Sequence, residues 1–213
     1  MECVGMTEFT VARAGEPRLS PALFDSMLRL RAEVFGERLG WAVRVEVGRE
    51  HDRFDLLGPD YVIAHEGDRA IGCCRLLPSL GPNMLGDVFP ALAAPSGVPR
   101  GSRIIEVSRF AVTTAREADD DACGHRFGDI PARLVAEVLG FSARQGMECV
   151  VGVTSAGFER LLRRLDLDLQ RLGPARRIGS VTSLAFRLPL HAGNLAVARQ
   201  LQATRAVPLA RAA

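Results

Sequence analysis

A three-layer α/β/α sandwich on a mixed central sheet is the fold this sequence predicts, and three observations predict it. Amphipathic helical stretches alternate with short β-rich runs. Two of those runs, Tyr61 to His65 and Arg69 to Leu77, are separated by three turn-forming residues and read as a hairpin. A helix, a strand and a further helix then follow the most β-like run of the chain, Arg103 to Thr113. With 213 residues and 47% hydrophobic content the chain can bury one good core, so a single domain over residues 1–213 is expected.

In order, Phe9 to Arg13 reads as a short strand. Ser20 and Pro21 open a helix that runs to about Leu39, because Leu23, Met27, Leu30 and Val34 recur at steps of four, three and four. Arg31, Phe35 and Arg38 fall on another face of that helix, and Gly40 and the single tryptophan, Trp41, follow it. Arg44 to Pro59 is polar and is expected to be a loop that closes over a ligand. In the hairpin, Arg75 is a lone charge in an apolar strand and needs an anionic partner if it points inward. Met84 to Leu92 reads as a short helix carrying Phe89.

The run R-I-I-E-V-S-R-F-A-V-T from Arg103 is expected to be a central strand. Strict alternation puts Glu106 and Ser108 on one face and Arg109 on the other. They can serve one site only if a β-bulge re-aims one of them or the site wraps the strand's end. An acidic loop, Glu117 to Gly128, leads to a helix over Pro131 to Gln145 that Gly146 stops. Cys149 to Thr154 is expected to be a buried strand, and Ser155 to cap a helix through Leu165 with Phe158, Leu161, Leu162 and Leu165 inward and Arg160, Arg163 and Arg164 outward. Ser180 to Leu188 reads as the last strand, before a polar, alanine-rich tail.

Composition excludes several classes of function. All 27 basic residues are arginine, so lysine Schiff-base chemistry and a lysine-bearing phosphate loop are ruled out. Five cysteines without a C-x-x-C pair and four scattered histidines give neither a disulfide framework nor a metal site, and no metal is expected. No apolar run reaches the roughly 18 residues of a membrane span, and the N-terminus has no signal-like pattern, so a cytoplasmic protein without membrane insertion is expected. No nucleic-acid partner is expected either. The net charge of +2 is unevenly spread: from Val150 onward there are 10 arginines against 3 acidic residues, which suits an acidic partner.

The polar residues that remain form a series: Arg31, Phe35 and Trp41; then Glu50, Asp52 and Asp55 in an E-x-D-x-x-D pattern; then Arg75, Phe89, Glu106 and Arg109. This series, with the order of elements typical of acyl-CoA N-acyltransferases, resembles the acyl-homoserine-lactone (autoinducer) synthases. Ten polar or aromatic positions match in order between Arg31 and Arg109, and a looser likeness continues from Val151 to Arg164.

The resemblance implies a reaction on S-adenosylmethionine, used as a substrate with no separate cofactor. Its α-amine attacks an acyl thioester, and its carboxylate then displaces methylthioadenosine to close a lactone that serves as a quorum-sensing signal. Glu106 is the expected proton acceptor, with Asp52, Arg75 and Ser108 as further catalytic candidates; Arg75 and Asp55 are equally read as structural residues whose buried pairs hold the loop over the cleft. Arg31, Phe35, Trp41, Glu50, Asp55, Phe89, Arg109 and Thr154 are the expected substrate-binding residues. Met84, Phe110, Val153, Phe158 and Leu161 are expected to line the acyl pocket. The donor is expected to be an acyl carrier protein docked on Arg160, Arg163 and Arg164, with acyl-CoA as the other possibility. An acetyl-CoA-dependent N-acetyltransferase is the alternative reading. Its pyrophosphate loop is poorly matched by Arg126-Phe127-Gly128-Asp129, which lacks the spacing and carries an aspartate.

Overall fold

A computed structural model describes residues 7–113 and 129–203. The acidic loop expected over Glu117 to Gly128 and most of the stretch beginning at Arg126 lie outside these residues. The chain begins with β1 (Glu8–Arg13) and α1 (Pro21–Arg31). Ser20 caps α1 by accepting from the Leu23 N–H at 3.0 Å, and Pro21 occupies the first turn, where its missing N–H costs nothing. Leu23, Met27 and Leu30 are buried as their spacing requires. The helix does not continue as α to Leu39. From Ala32 to Arg38 it widens to π geometry, which turns Phe35 and the following chain toward the sheet.

The stretch expected to be a loop contains a small hairpin, β2 (Val45–Glu46) with β3 (Arg49–Glu50), and a 3₁₀ turn, Arg53–Leu57. Then come β4 (Asp60–Glu66), β5 (Arg69–Pro78), the short α2 (Met84–Asp87), a 3₁₀ turn at Pro90–Ala93 and β6 (Ile104–Val112). The second half supplies α3 (Asp129–Arg144), β7 (Cys149–Ser155), α4 (Ala156–Arg164), β8 (Gln170–Arg171), β9 (Arg176–Ile178) and β10 (Val181–Pro189). Residues 192–203, read from sequence as a polar tail, form α5 (Ala192–Ala203). Alanines at i and i+4 gave little apolar signal, but Ala198 is buried against the core, and the buried Asn194 donates to the Pro189 carbonyl at 2.7 Å and accepts from the Asp168 N–H at 2.8 Å.

Among the described residues the main sheet runs β1-β4-β5-β6-β7-β10-β8, with β9 also on β10. Every pairing is antiparallel except β6 with β7, whose parallel alignment needs the crossover through α3. This is the mixed-sheet α/β/α sandwich the sequence predicted. One face carries α1 and α2, the other α3, α4 and α5. Leu134, Val135, Val138 and Leu139 of α3 meet Val62, Ile71, Cys74 and Leu76, while α1 covers Tyr61, Ile63, Ala70 and Cys73. Burial pushes the Cys73 thiol up to about 12, so it packs as a small hydrophobe. No helix among the described residues is long and apolar enough to cross a membrane.

Two features of β6 position the site. It stays in register with β7 only from Ile104 to Val107, where Val107 faces Gly152, and beyond that point the pairing stops. At Gly152 a side chain would meet the Val107 carbonyl oxygen at 2.5 Å, so only glycine lets the strands approach there. Against β5, Arg75 pairs with Ser108 but Cys73 pairs with Ala111, so one residue of β5 opposes two of β6. Arg109 takes φ +53° at this bulge. The extra residue reverses the alternation: Ser108 and Arg109 both face α1, Phe110 faces α3, and Ala111 returns to the α1 side. Glu106, Ser108 and Arg109 therefore share one face, as a bulge alone allows.

Candidate active site

The α1 face of β5 and β6 carries three arginines and three carboxylates in alternation. Arg31, at the end of α1, donates from Nε to Glu50 at 2.6 Å and grips both oxygens of Asp55 at 2.9 and 2.8 Å. Arg75 donates to Asp52 at 2.6 and 3.1 Å, to Asp55 at 2.9 Å and to the Ser108 hydroxyl at 3.2 Å. Arg109 donates to Glu50 at 3.0 Å and lies 2.7 Å from Asp52. Each guanidinium bridges two carboxylates, so the cluster is neutral as a set and its buried charges are all paired. All three carboxylates are thereby paired with arginine.

Sequence explains why the acidic residues sit where they do. Asp52 accepts from the Phe54 N–H at 2.8 Å while Asp55 accepts from the Asp52 N–H at 2.8 Å, a reciprocal cap that folds Asp52 to Leu57 into a 3₁₀ turn and presents both side chains to β5. Burial alone would push the Asp55 carboxyl up, but Arg31 and Arg75 overcome it and hold it far below the usual carboxylate range. Burial likewise opposes charge on Arg31, and Asp55 and Glu50 reverse the effect. Tyr61 was not singled out from sequence. Its hydroxyl donates to Asp55 at 2.8 Å, and burial followed by the Asp55 charge pushes its pKa up. The available signal was its place directly across the hairpin from Arg75.

Exposure divides the cluster. Arg31, Arg75 and Glu50 have side chains at most 1% exposed, with Asp55 at 9%, Arg109 at 8% and Asp52 at 18%. Arg31, Glu50 and Arg75 thus tie α1, the 3₁₀ turn and β5 together from inside, while Asp52, and to a smaller extent Asp55 and Arg109, keep some exposed surface. Phe35 is also enclosed. Trp41 stacks on it at 5.4 Å and the Arg109 guanidinium stands 5.3 Å from its ring centre, leaving the partly buried Trp41 as the more accessible ring. Phe89 packs with Leu85 and Leu92 under α2.

Glu106 is 1% exposed on the same face, and its oxygens accept from the Met84 N–H at 3.1 Å and the Leu85 N–H at 2.5 Å. Burial raises its pKa, while the two N–H groups and Arg75 act in the opposite direction.

The expected acyl-pocket residues are not all brought together. An apolar cavity of about 30 Å³ lies between the sheet and α3 and α4, and its lining includes Phe110, Phe158, Val107, Val138 and Leu162. Phe110 and Phe158 sit 4.6 Å apart at its wall. Met84 and Val153 face the opposite side of the sheet, Met84 with its sulfur 2.9 Å from Arg109 and Val153 against Leu85 and Ala185. Leu161 is absent from the lining because Leu162 points in instead. The alternation of β7 puts Thr154 on the cavity side with Val150.

On α4, Glu159 is the residue the sequence reading missed. It is buried on the face expected to be solvated, and it accepts from Arg163 at 3.0 Å and from Arg171 of β8 at 2.6 Å. The i,i+4 spacing to Arg163 is a local signal for that pair, but nothing local reveals Arg171, 12 residues away. Arg163 is therefore paired, and among the described residues Arg160 and Arg164 carry no ion pair.

A family model described as autoinducer synthase matches residues 17–197, most of the chain. The chain belongs to that family. A probable acyl-homoserine-lactone synthase of Sinorhizobium fredii (strain NBRC 101917 / NGR234) is 40% identical over 172 residues, 80% of this chain and 81% of that protein. The acyl-homoserine-lactone synthase of Pseudomonas aeruginosa PAO1 is 34% identical over 173 residues, covering 80% and 84%. Among solved structures, the AHL synthase LasI is similar with a TM-score of 0.83 and 31% identity over 92% of this chain and 96% of that one. BjaI, described as a CoA-dependent acyl-homoserine lactone synthase with SAM and isopentyl-CoA, gives 0.81 and 27% over 95% and 91%. A putative N-acetyltransferase from Lactobacillus plantarum shares the fold alone, at 14% identity and a TM-score of 0.56. The autoinducer synthase described here is an acyltransferase, an acyl-homoserine-lactone synthase, and the N-acetyltransferase alternative is not supported.

Proposed function

We propose that the substrate pair is S-adenosylmethionine and an acyl thioester, consumed at the point where β6 leaves β7. The observation that carries this reading is the bulge at Arg109, which sets Arg109, paired with Asp52 and over the Phe35 ring on which Trp41 stacks, on one face of β6 and Phe110 at the apolar cavity on the other. The amine of S-adenosylmethionine, with a reference pKa near 8, is mostly protonated at neutral pH and must lose a proton before attack. Glu106 accepts that proton, directly or through water. The amine nitrogen bonds to the thioester carbon, the oxyanion is stabilised by N–H groups of β7 beyond Gly152 with Ser108 nearby, and collapse expels the thiol. The α-carboxylate, folded behind the γ-carbon, then forms the ring C–O bond as the C–S bond breaks and methylthioadenosine leaves. Asp52 supplies charge opposite the sulfonium, Arg109 holds the carboxylate, and Thr154 donates to a substituent at the acyl 3-position. S-adenosylmethionine is spent as a substrate, with no cofactor or metal required. Cytoplasmic location belongs to the same proposal. Mixing the protein with S-adenosylmethionine and an acyl donor, and following methylthioadenosine and lactone by mass spectrometry, tests the whole reading; thiol release without lactone would refute the second step.

Trp41→Ala should weaken binding of S-adenosylmethionine by about 0.5–2 kcal/mol more than binding of the uncharged analogue in which carbon replaces sulfur, since only the sulfonium gains from a π-face. Calorimetry with both ligands checks this, and identical losses would assign Trp41 to packing.

We infer that the donor is an acyl carrier protein, whose acidic surface complements the exposed arginines of α4. With Arg163 bound to Glu159, docking falls to Arg160 and Arg164. Reversing these two to glutamate should raise KM for the carrier several-fold, leave KM for S-adenosylmethionine unchanged, and weaken the salt dependence of kcat/KM. Acyl-CoA remains the second reading, since the similar BjaI is CoA-dependent; a preference for acyl-CoA without salt dependence would favour it.

A further inference from the structure

Between β5 and β6 the chain makes a turn held by hydrogen bonds among Ser79, Gly81, Asn83, Gly86 and Gly101. Asn83 is 1% exposed there, yet it belongs to none of the signature positions. Its side-chain oxygen accepts from the Gly86 N–H at 2.8 Å, and its amide donates to the carbonyls of Gly81 at 2.9 Å and Ser79 at 3.2 Å. Ser79 is itself fixed, its hydroxyl donating to the Gly101 carbonyl and accepting from the Gly101 N–H, both at 3.0 Å. Asn83 thus joins the first turn of α2 to the base of β6. That turn presents the N–H groups of Met84 and Leu85 to the two oxygens of Glu106, one donor for each oxygen. Each oxygen keeps a lone pair with which to take a proton.

We propose that Asn83 is a positioning residue for the acylation step: it holds the first turn of α2 so that the Met84 and Leu85 N–H groups orient Glu106 and set how readily it takes the substrate's proton. The proposal rests on the reading of Glu106 as proton acceptor. The physics is that of opposing effects on one carboxylate. Burial disfavours its charged form, the two N–H groups and the Arg75 guanidinium of β5 favour it, and Asp87 of α2 disfavours it. Loosening α2 removes the favourable N–H groups and leaves the burial, so Glu106 should hold its proton to higher pH. The same turn carries Met84 against Arg109, so α2 also couples the proton acceptor to the substrate-facing arginine.

The test is an infrared pH titration of the intact protein, with the Glu106 carboxylic-acid C=O band identified by its loss in Glu106→Gln. Asn83→Ala should move the midpoint of that band up by about one pH unit. It should also move the acidic limb of the kcat–pH profile upward in the same direction, with KM for S-adenosylmethionine unchanged. Asn83→Ser, which keeps a capping oxygen, should fall between wild type and alanine. If Asn83→Ala does not fold, Met84→Pro carries the test, because proline fits the first helical position after the extended Asn83 and removes a single N–H. Met84→Pro should shift the band in the same direction, and Met84→Ala should leave it in place. Unmoved midpoints in both Asn83→Ala and Met84→Pro overturn the proposal while a Glu106→Gln loss of turnover keeps the acceptor reading. Wild-type turnover in Glu106→Gln removes the acceptor reading and with it the positioning role of Asn83.

Discussion

Glu106→Gln should cut turnover by about 10²-fold or more while S-adenosylmethionine binds nearly as in wild type. The amide has the size of the carboxylate but cannot accept the amine proton, so the acylation step loses its base while Asp52, Arg109 and Trp41 remain in place. Glutamine has one acceptor oxygen where the Met84 and Leu85 N–H groups require two, so part of α2 must shift as well. That shift is separable. Met84→Pro gives up one of the same donors but keeps the carboxylate, and should retain far more activity than Glu106→Gln. Steady-state thiol release at saturating concentrations of both substrates makes the comparison, with ligand affinity measured calorimetrically. Equal turnover in wild type and Glu106→Gln would remove Glu106 from this role.

Arg31→Met should destabilise the fold by about 3–5 kcal/mol, seen as a lower urea midpoint with an unchanged slope. The reason lies in what the substitution leaves behind. Methionine fills much of the space but leaves Glu50, which is fully buried, with Arg109 as its one remaining arginine, and removes the bidentate partner of Asp55. The same pairing gives stability a defined pH dependence. Asp55 is held well below its unfolded value of about 3.9, so its contribution is complete above that value and is lost as pH falls through and below it. Acid unfolding should therefore be shallower in Arg31→Met than in wild type. A variant as stable as the parent, with the same acid profile, would show that the cluster does not hold the loop to the sheet.

The mixed-sheet α/β class, the hairpin of β4 and β5 and the helices α1, α3 and α4 were legible because apolar period and punctuation are local properties. Leu23, Met27 and Leu30 step at helical spacing, Ser20 and Ser155 cap, and two apolar runs flank the tight turn between Tyr61 and Leu77. The series from Arg31 to Arg109 was legible as a set, since charged residues inside strand-like runs are conspicuous in sequence. α5 was not, because alanine carries little amphipathic signal and only its contact with α3 and Asn194 fixes it.

What the sequence by itself determined is which side chains must find partners: Arg75 and Glu106 in apolar strands, and three carboxylates crowded within six residues. Only the tertiary structure decided who those partners are. Arg31 is 24 residues from Asp55 and Arg109 is 59 from Glu50, distances across which composition and spacing carry no information. It also decided which members of the set keep exposed surface, closing Arg31, Arg75 and Glu50 inside and leaving Asp52, and less so Asp55 and Arg109, partly open. The physical reason is the bulge at Arg109. One inserted residue reverses the alternation of β6, and a reversal of that kind is set by pairing with β5, which no single strand records in its own sequence.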